Sequence, residues 1–496
     1  MKVQQILATN QEKSTRKTIL FLGLILVSVG INYLVPATFS SLFFLFCLVI
    51  YFFSDNEPFW LAFFLVLGDG FFGLFGPGKV LQSVIPGLPE VEIIQLYILA
   101  TLVKAFRQKD HSPPFYYRFL WVLLIYLVFL IVQGYVVGIS MELNIQFRLI
   151  KSILPLFLLF SIPRLFLKPK DYESCMIYLF PIAFFALGAQ IATIATGLQP
   201  IYLLSLSAEH VDTFELTDER IYRGFFNVGI VLITTLGALY MLTKKQKSLS
   251  TGYLFAVLIA NGLSIFLSAT RGWIIGFSFI ILTYIFFISG VQLKNLIKIS
   301  FVGAIATLTI LSVPELRLQT NNAFKRILTL EAIVEGDLTA KGTLIRLERR
   351  VPRVMKKWRE SPITGWGFSN EYFTYADGHV GNHNLLLHSG ITGALLMGAF
   401  FVFFNARIII RSRNDFIPLE YRNCLLIFSV FFLGWFIIHS TSWQHFSFYQ
   451  DPNVGLIQGF FFSWAACIYD KAGTERKKTK TPQPIRSLKS FSEVYA

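Results

Sequence analysis

Uninterrupted apolar runs constrain this chain more than any other feature. Thr18 to Val35, Phe119 to Ser140 and Gly272 to Gly290 approach or exceed the ~18–20 residues that carry a helix across a bilayer. Hydrocarbon offers no hydrogen-bond partner to a bare peptide group, so such runs fold as helices that satisfy their own backbone. With 54% of its 496 residues hydrophobic and only 15% charged, the chain is too apolar for a soluble protein. Its formal charge of +15 raises the question of nucleic acid. The Lys and Arg residues cluster in short loops between apolar runs, however, which is a pattern of membrane orientation. No nucleic-acid partner is expected.

The expected fold is all-α: a polytopic membrane helical bundle of about fourteen spans. They lie near 18–36, 37–53, 58–76, 89–106, 119–139, 149–166, 173–197, 224–242, 251–269, 272–290, 297–314, 389–408, 423–440 and 454–470. Cytoplasmic loops are enriched in Lys and Arg. With the N-terminus inside, the inner loops carry Lys104, Arg107, Lys109 and Arg118, then Arg164, Lys168 and Lys170, then Lys244, Lys245 and Lys247. Lys294 and Lys298 follow, then Arg407, Arg411 and Arg413, and finally Arg476, Lys477 and Lys478. Only Ser54-Asp55-Asn56-Glu57 lacks the bias. The run after Lys13-Ser14-Thr15-Arg16-Lys17 has no small-residue cleavage site, so it is expected to remain as the first span.

The expected organisation is a cytoplasmic N-terminus (1–17), a membrane bundle of about eleven spans (18–314), a large extracytoplasmic loop (315–388), about three further spans (389–470) and a disordered cytoplasmic tail (471–496). Both termini are placed inside. Cys47, Cys175, Cys424 and Cys467 lie within apolar runs, without disulfide or metal spacing, and read as small buried residues.

Three polar constellations fall on the outer side. Arg223 is expected to begin the eighth span in Arg220-Ile221-Tyr222-Arg223-Gly224, and Arg271 lies in the tight turn Ser268-Ala269-Thr270-Arg271-Gly272. An Arg at a helix end often snorkels to the interface. The Arg271 turn is almost too short to reach water, so its guanidinium is expected to face the bundle and require an anionic partner. A diphosphate suits the guanidinium fork; a carboxylate from the acidic outer segment (Glu209, Asp212, Glu215, Asp218, Glu219) competes. From Lys341 to Glu360, eight cations against Glu348 and Glu360 leave +6. Leu344, Leu347, Val351, Met355 and Trp358 make one apolar stripe there, interrupted by Pro352. The pattern predicts an amphipathic helix on the membrane surface whose Arg346, Arg350 and Arg353 attract anionic lipid or concentrate a phosphorylated substrate.

The third constellation is His379-Val380-Gly381-Asn382-His383-Asn384, with His388 beyond it. Only His379 and His383 share helical spacing and no Glu takes a general-base position, so no metal is expected. A His at the mouth of a membrane helix suits a general base; a hydrogen-bonded structural role competes. Trp358, Trp366, Tyr372, Tyr375, Trp443 and Tyr449 offer flat apolar faces on which a ring could stack, or interfacial anchors.

In this order the motifs resemble the O-antigen ligase and polymerase superfamily of bacterial membrane glycosyltransferases. The resemblance covers about residues 220–410 and rests on Arg223-Gly224, Thr270-Arg271-Gly272, Pro362-x-x-Gly365-x-Gly367, His383-Asn384 and Gly390-x-x-Gly393. Thr270 stands where Ser is usual, and His388-Ser389 where many members carry an acidic residue. The resemblance implies an all-helical, GT-C-like architecture in the plasma membrane with its site facing the exterior. It implies metal-independent, cofactor-free transfer of glycan, with inversion, from undecaprenyl diphosphate to a glycan or lipid acceptor. Arg223 and Arg271 would hold the diphosphate, His383 would take the acceptor proton, and Asn384 would position the loop. Arg220, Arg346, Arg350, Arg353, Trp366 and His379 would line the substrate path. A surface-polysaccharide polymerase is the expected member. An O-antigen ligase acting on lipid A core, or a protein O-oligosaccharyltransferase, is the alternative. The rival class is a lipid-linked oligosaccharide flippase, for which Asp69 in Gly68-Asp69-Gly70 would be a transport carboxylate.

Overall fold

A computed structural model describes residues 2–68, 81–82, 89, 91–108, 113–196, 215–216, 222–223, 228–245, 248–288, 311–328, 345–377, 380–441, 446–448 and 452–480. Helices dominate. The first are α1 (Lys2–Leu34), α2 (Ala37–Phe53), α3 (Glu57–Gly68), α4 (Ile93–Arg107), α5 (Tyr117–Val137) and α6 (Leu143–Ile153). After α6 a 3-10 turn over Leu154–Phe157 leads into α7 (Leu158–Leu165), then α8 (Pro169–Thr196), α9 (Val228–Thr243), α10 (Thr251–Leu267) and α11 (Arg271–Thr283). The last six are α12 (Pro314–Leu328), α13 (Ile345–Trp358), α14 (Asn370–Tyr375), α15 (Gly381–Ser412), α16 (Leu419–Thr441) and α17 (Pro452–Lys480). Two antiparallel two-residue ladders interrupt them, β1 (Leu81–Gln82) with β2 (Val91–Glu92) and β3 (Glu215–Leu216) with β4 (Tyr222–Arg223).

Among the described residues, six helical stretches are long and apolar enough to cross a membrane: Tyr117–Val137, Leu143–Leu165, Pro169–Ala195, Arg271–Ile288, Gly381–Ser412 and Leu419–His439. Four shorter apolar helices, Thr38–Phe53, Glu57–Gly68, Gly229–Thr243 and Thr251–Leu267, pack among them. Their outer faces suit lipid. On α5, Ile125 and Val136 are 68% and 81% exposed while Leu120, Leu127 and Leu130 are buried. An aliphatic face left open along a whole helix belongs in hydrocarbon, since in water it would be an aggregation surface. The chain is an all-α membrane protein.

Most of the expected span at 297–314 lies outside the described residues, as do Asp69 and residues 481–496. The final helix differs from expectation, since α17 continues to Lys480, ten residues past the expected end of the bundle. Arg476, Lys477 and Lys478 there are good helix formers.

Among the described residues, Lys104, Arg164, Lys244 and Arg411, all assigned to inner loops, gather at one end of the bundle. Lys104 of α4 pairs with Glu57 and donates to the carbonyls of Tyr51 (3.1 Å) and Ser54 (2.6 Å). One ammonium therefore closes the C-terminus of α2 and balances the Ser54–Glu57 loop, which has no cation of its own. At the same end Arg164 lies over Phe106 (5.4 Å), Lys244 pairs with Glu173 (2.7 Å) and Arg411 stacks on Tyr469 (3.6 Å).

Candidate functional site at the opposite end of the bundle

The turn into α11 is short because Ser268 and Thr270 satisfy it locally. Ser268 Oγ donates to the Ile265 carbonyl (2.6 Å), the Thr270 amide donates to Ser268 Oγ (3.3 Å), and Ala269 takes a left-handed conformation with φ 51°. Among the described residues Ala269 alone has positive φ without being glycine, a conformation that costs about 1–3 kcal/mol and persists where neighbours enforce it. Here Phe266 and Ala323 of α12 pack around it, and Gln319 of α12 donates to the Leu267 carbonyl (2.8 Å). The turn delivers Arg271 as the first residue of α11, 8% exposed.

α11 runs antiparallel to α16. A Cβ on Gly276 would meet the Gly434 carbonyl (2.8 Å) and Ile438 (2.6 Å), while Ile280 lies against Gly434. Absence of side chains at both glycines lets the two backbones cross closely. Five residues beyond this crossing lie Arg271 on α11 and His439 on α16, each about 7.5 Å further along at helical rise. His439 is buried, accepts the Phe446 amide at Nδ1 (3.4 Å), and its carbonyl fills the space a Cβ on Gly381 would need (2.7 Å). The crossing thus brings the N-terminus of α11, the C-terminus of α16 and the first turn of α15 to one end of the bundle. His383 stands half-buried on that first turn.

α15 is two helices in series. At Gly390 the backbone turns to φ 62°, ψ −171°, and the segment Ser361–Phe368 fills the break. The Ile391 and Thr392 amides donate to the carbonyls of Pro362 (2.9 Å) and Ile363 (3.0 Å), and the Trp366 and Gly367 amides donate to those of Leu387 (2.9 Å) and His388 (2.8 Å). A broken helix survives at membrane depth only when neighbouring protein satisfies the freed groups. Gly365, Gly367 and Gly390 all have positive φ, and a Cβ on any of them would strike backbone: His388, Leu130 of α5 and Ile363 respectively. Gln133 of α5 pins the wedge through Thr364 Oγ1 (3.0 Å) and the Gly365 carbonyl (2.8 Å). The glycine motif is therefore a joint between α5 and α15.

The remaining expected residues separate by role. Asn384 is buried and clasps Asp377, accepting its amide (2.9 Å) and donating to its carbonyl. Asp377 in turn holds Arg350 (3.2 Å) and Arg353 (4.0 Å) of α13. Trp366 gives one face to the Lys357 ammonium (4.0 Å) and its Nε1 to the Lys357 carbonyl (3.0 Å). Lys357 also pairs with Glu360 and Glu371, each at 2.7 Å. Partial burial pulls that ammonium down, but the two carboxylates outweigh it and raise it above its ordinary value. His388 is buried between Phe368 and Tyr372, at 4.5 Å from each ring, and among the described residues neither ring nitrogen has a hydrogen-bond partner. It acts as a third aromatic ring.

Two expectations are revised. Part of the apolar side of α13 rests on protein and not on lipid: Val351 and Trp358 of the expected stripe, together with the fully buried Val354, pack on Tyr372, Val380 and Leu387, while the side chains of Leu344 and Leu347 lie outside the described residues. Arg223 does not open a helix; it lies in β4 with its backbone opposite Glu215, five residues before α9. Its side chain and that of Arg346 lie outside the described residues, as do Arg220, His379, Trp443 and Tyr449. His439 and Asp377 were missed in the sequence, where no motif singles them out and only a packing partner gives each a role. Among the described residues no three His, Cys, Asp or Glu side chains converge as a metal-holding group. A scan against family models finds none that matches the chain, and a search of curated proteins finds no match either.

Proposed function

We propose that the chain is a membrane glycosyltransferase that moves glycan from an undecaprenyl-diphosphate carrier to an acceptor hydroxyl at the outer face of the bacterial plasma membrane, most simply to extend a surface polysaccharide. The full architecture belongs to the same reading: about fourteen spans, GT-C-like, both termini inside. The observation that carries it is the shared end of the bundle at which Arg271 and the His383 turn meet through the Gly276–Gly434 crossing and the His439–Gly381 contact.

In this reading the acceptor oxygen attacks the anomeric carbon, the bond from that carbon to the diphosphate oxygen breaks, and the configuration inverts. The acceptor proton passes to His383, whose ring has no hydrogen-bond partner among the described residues. The electron pair leaves on the diphosphate. Arg271, fixed by the strained turn before it, faces the charge that grows there. A preorganised cation in a water-poor site favours the transition state more than the ground state. Asn384 acts indirectly, by holding Asp377 and through it the basic helix.

Deletion of the gene, followed by gel analysis of surface glycans, tests the class. Loss of long chains with single units retained supports the polymerase; glycan stranded on its carrier lipid supports the ligase alternative. Arg271→Ala and His383→Ala, at normal membrane levels, should each abolish transfer, and full activity in either removes that residue from the mechanism.

A further inference from the structure

The described cations of α13 and of the turn that follows it divide by what they touch. Arg350, Arg353 and Lys357 face Asp377, Glu360 and Glu371. Arg349, Lys356 and Arg359 are exposed, and among the described residues none of them has a carboxylate within ion-pair distance. With Arg353 between them they follow one another at four- and three-residue steps, a single face about 15 Å long. Val351, Val354 and Trp358 anchor the opposite side of the helix in Tyr372, Val380 and Leu387, so the helix cannot roll and the direction of the row is set by the core.

The chain leads from the end of that row, at Arg359, straight to an exposed apolar surface. Ile363, four residues past Arg359, is 67% exposed. The wedge that carries it is fastened to the last turns of α5, where a Cβ on Gly134 would meet the Phe368 backbone (2.8 Å) and Asn370 donates its amide to the Gly138 carbonyl (3.0 Å). Val136, between those two glycines, is 81% exposed, and Met141 just beyond them 74%. Open aliphatic side chains here mark where lipid contact begins, and cations within a Debye length (~8–10 Å) of that boundary feel an anionic headgroup layer strongly. We infer that Arg349, Lys356 and Arg359 dock the protein on the phosphates of anionic phospholipids in the adjoining leaflet. This surface is separate from the transfer site and does not depend on the transferase reading.

The test uses the full chain in phosphatidylcholine bilayers carrying trace spin-labelled phosphatidylglycerol or spin-labelled phosphatidylcholine, with the immobilised fraction of each read by electron paramagnetic resonance. The native protein should immobilise the anionic lipid in preference. Arg349→Gln/Lys356→Gln/Arg359→Gln should lose that preference while immobilising neutral lipid as before, which also reports an intact fold. Arg349→Lys/Arg359→Lys should keep it. An unchanged preference in the triple variant overturns the inference. So does a native protein with no lipid preference that binds dextran sulfate through these residues, since the face would then take a soluble polyanion.

Discussion

Gly390→Ala isolates the joint on which the site rests. At φ 62°, ψ −171° the backbone occupies a region open almost solely to glycine, where a side chain costs about 1–3 kcal/mol. The new methyl group would also fall on the Ile363 carbonyl. Relieving that clash displaces the wedge and breaks the bonds from Ile391 and Thr392 to Pro362 and Ile363, each contributing ~0.5–1.5 kcal/mol. Together these give a loss of about 2–6 kcal/mol. Gly398→Ala supplies the control in the same helix, because nothing lies within 4 Å of its Cβ position and alanine there should be neutral or better by up to ~1 kcal/mol. Titration of both purified variants with sodium dodecyl sulfate in mixed micelles, followed by far-ultraviolet circular dichroism, measures the difference. If both unfold at the same detergent fraction, the joint does not support α15 and the account of the glycine motif fails.

Ala269→Val should destabilise more than Ala269→Gly, since a branched side chain tolerates positive φ least; equal melting temperatures would show that the turn before Arg271 holds no strain. Asn384→Leu leaves both backbone groups of Asp377 without their clasp and should cost about 1–3 kcal/mol, with faster amide exchange at Asp377 as the local readout. Lys104→Met should be strongly destabilising, about 3–5 kcal/mol, because it strands a buried carboxylate, and adding Glu57→Leu should recover most of the loss. The Lys357 ammonium is raised in the folded protein from an ordinary value of 10.5, so its contribution is full below that pH and disappears as pH climbs through the higher folded value. Lys357→Met should therefore flatten the alkaline end of the stability profile and leave its dependence near neutrality unchanged.

What was legible in the sequence follows from how local each signal is. Apolar runs report helices directly, so α5, α8, α11 and α16 coincide with expected segments. The grouping of Arg164, Lys244 and Arg411 at one end agrees with the loop charges. Partners distant in sequence leave no such trace. The Ser54–Glu57 loop is an exception to the charge bias in the sequence, and its cation, Lys104, comes from the last turn of α4. The stripe on α13 was read correctly as amphipathic, yet periodicity cannot say whether lipid or protein covers an apolar face. Here Tyr372 and Leu387 cover it. The break at Gly390 has the same cause, since a Gly inside an apolar helix pattern usually means only weak propensity. Recognising the break requires the carbonyls of Pro362 and Ile363, nearly thirty residues earlier.

The site shows the same division in sharper form. Arg271 stood out because a guanidinium after so tight a turn has no easy route to water, and it is indeed buried at a helix start. His383 stood out by motif, but motif cannot distinguish an imidazole available to substrate from one packed away. His388, five residues on, is packed away between Phe368 and Tyr372. The residue that ties these elements together is His439, at the end of an apolar run and part of no recognisable motif. Its place follows from Gly276 and Gly434: the close crossing fixes the axial register of α11 against α16, so Arg271 and His439 emerge at one level, and Gly381 admits the His439 carbonyl beside the His383 turn. Widening that crossing with Gly276→Leu should therefore impair transfer although the substituted residue lies more than a helical turn from Arg271. If the variant reaches the membrane and transfers glycan normally, axial register between α11 and α16 is not what assembles the site.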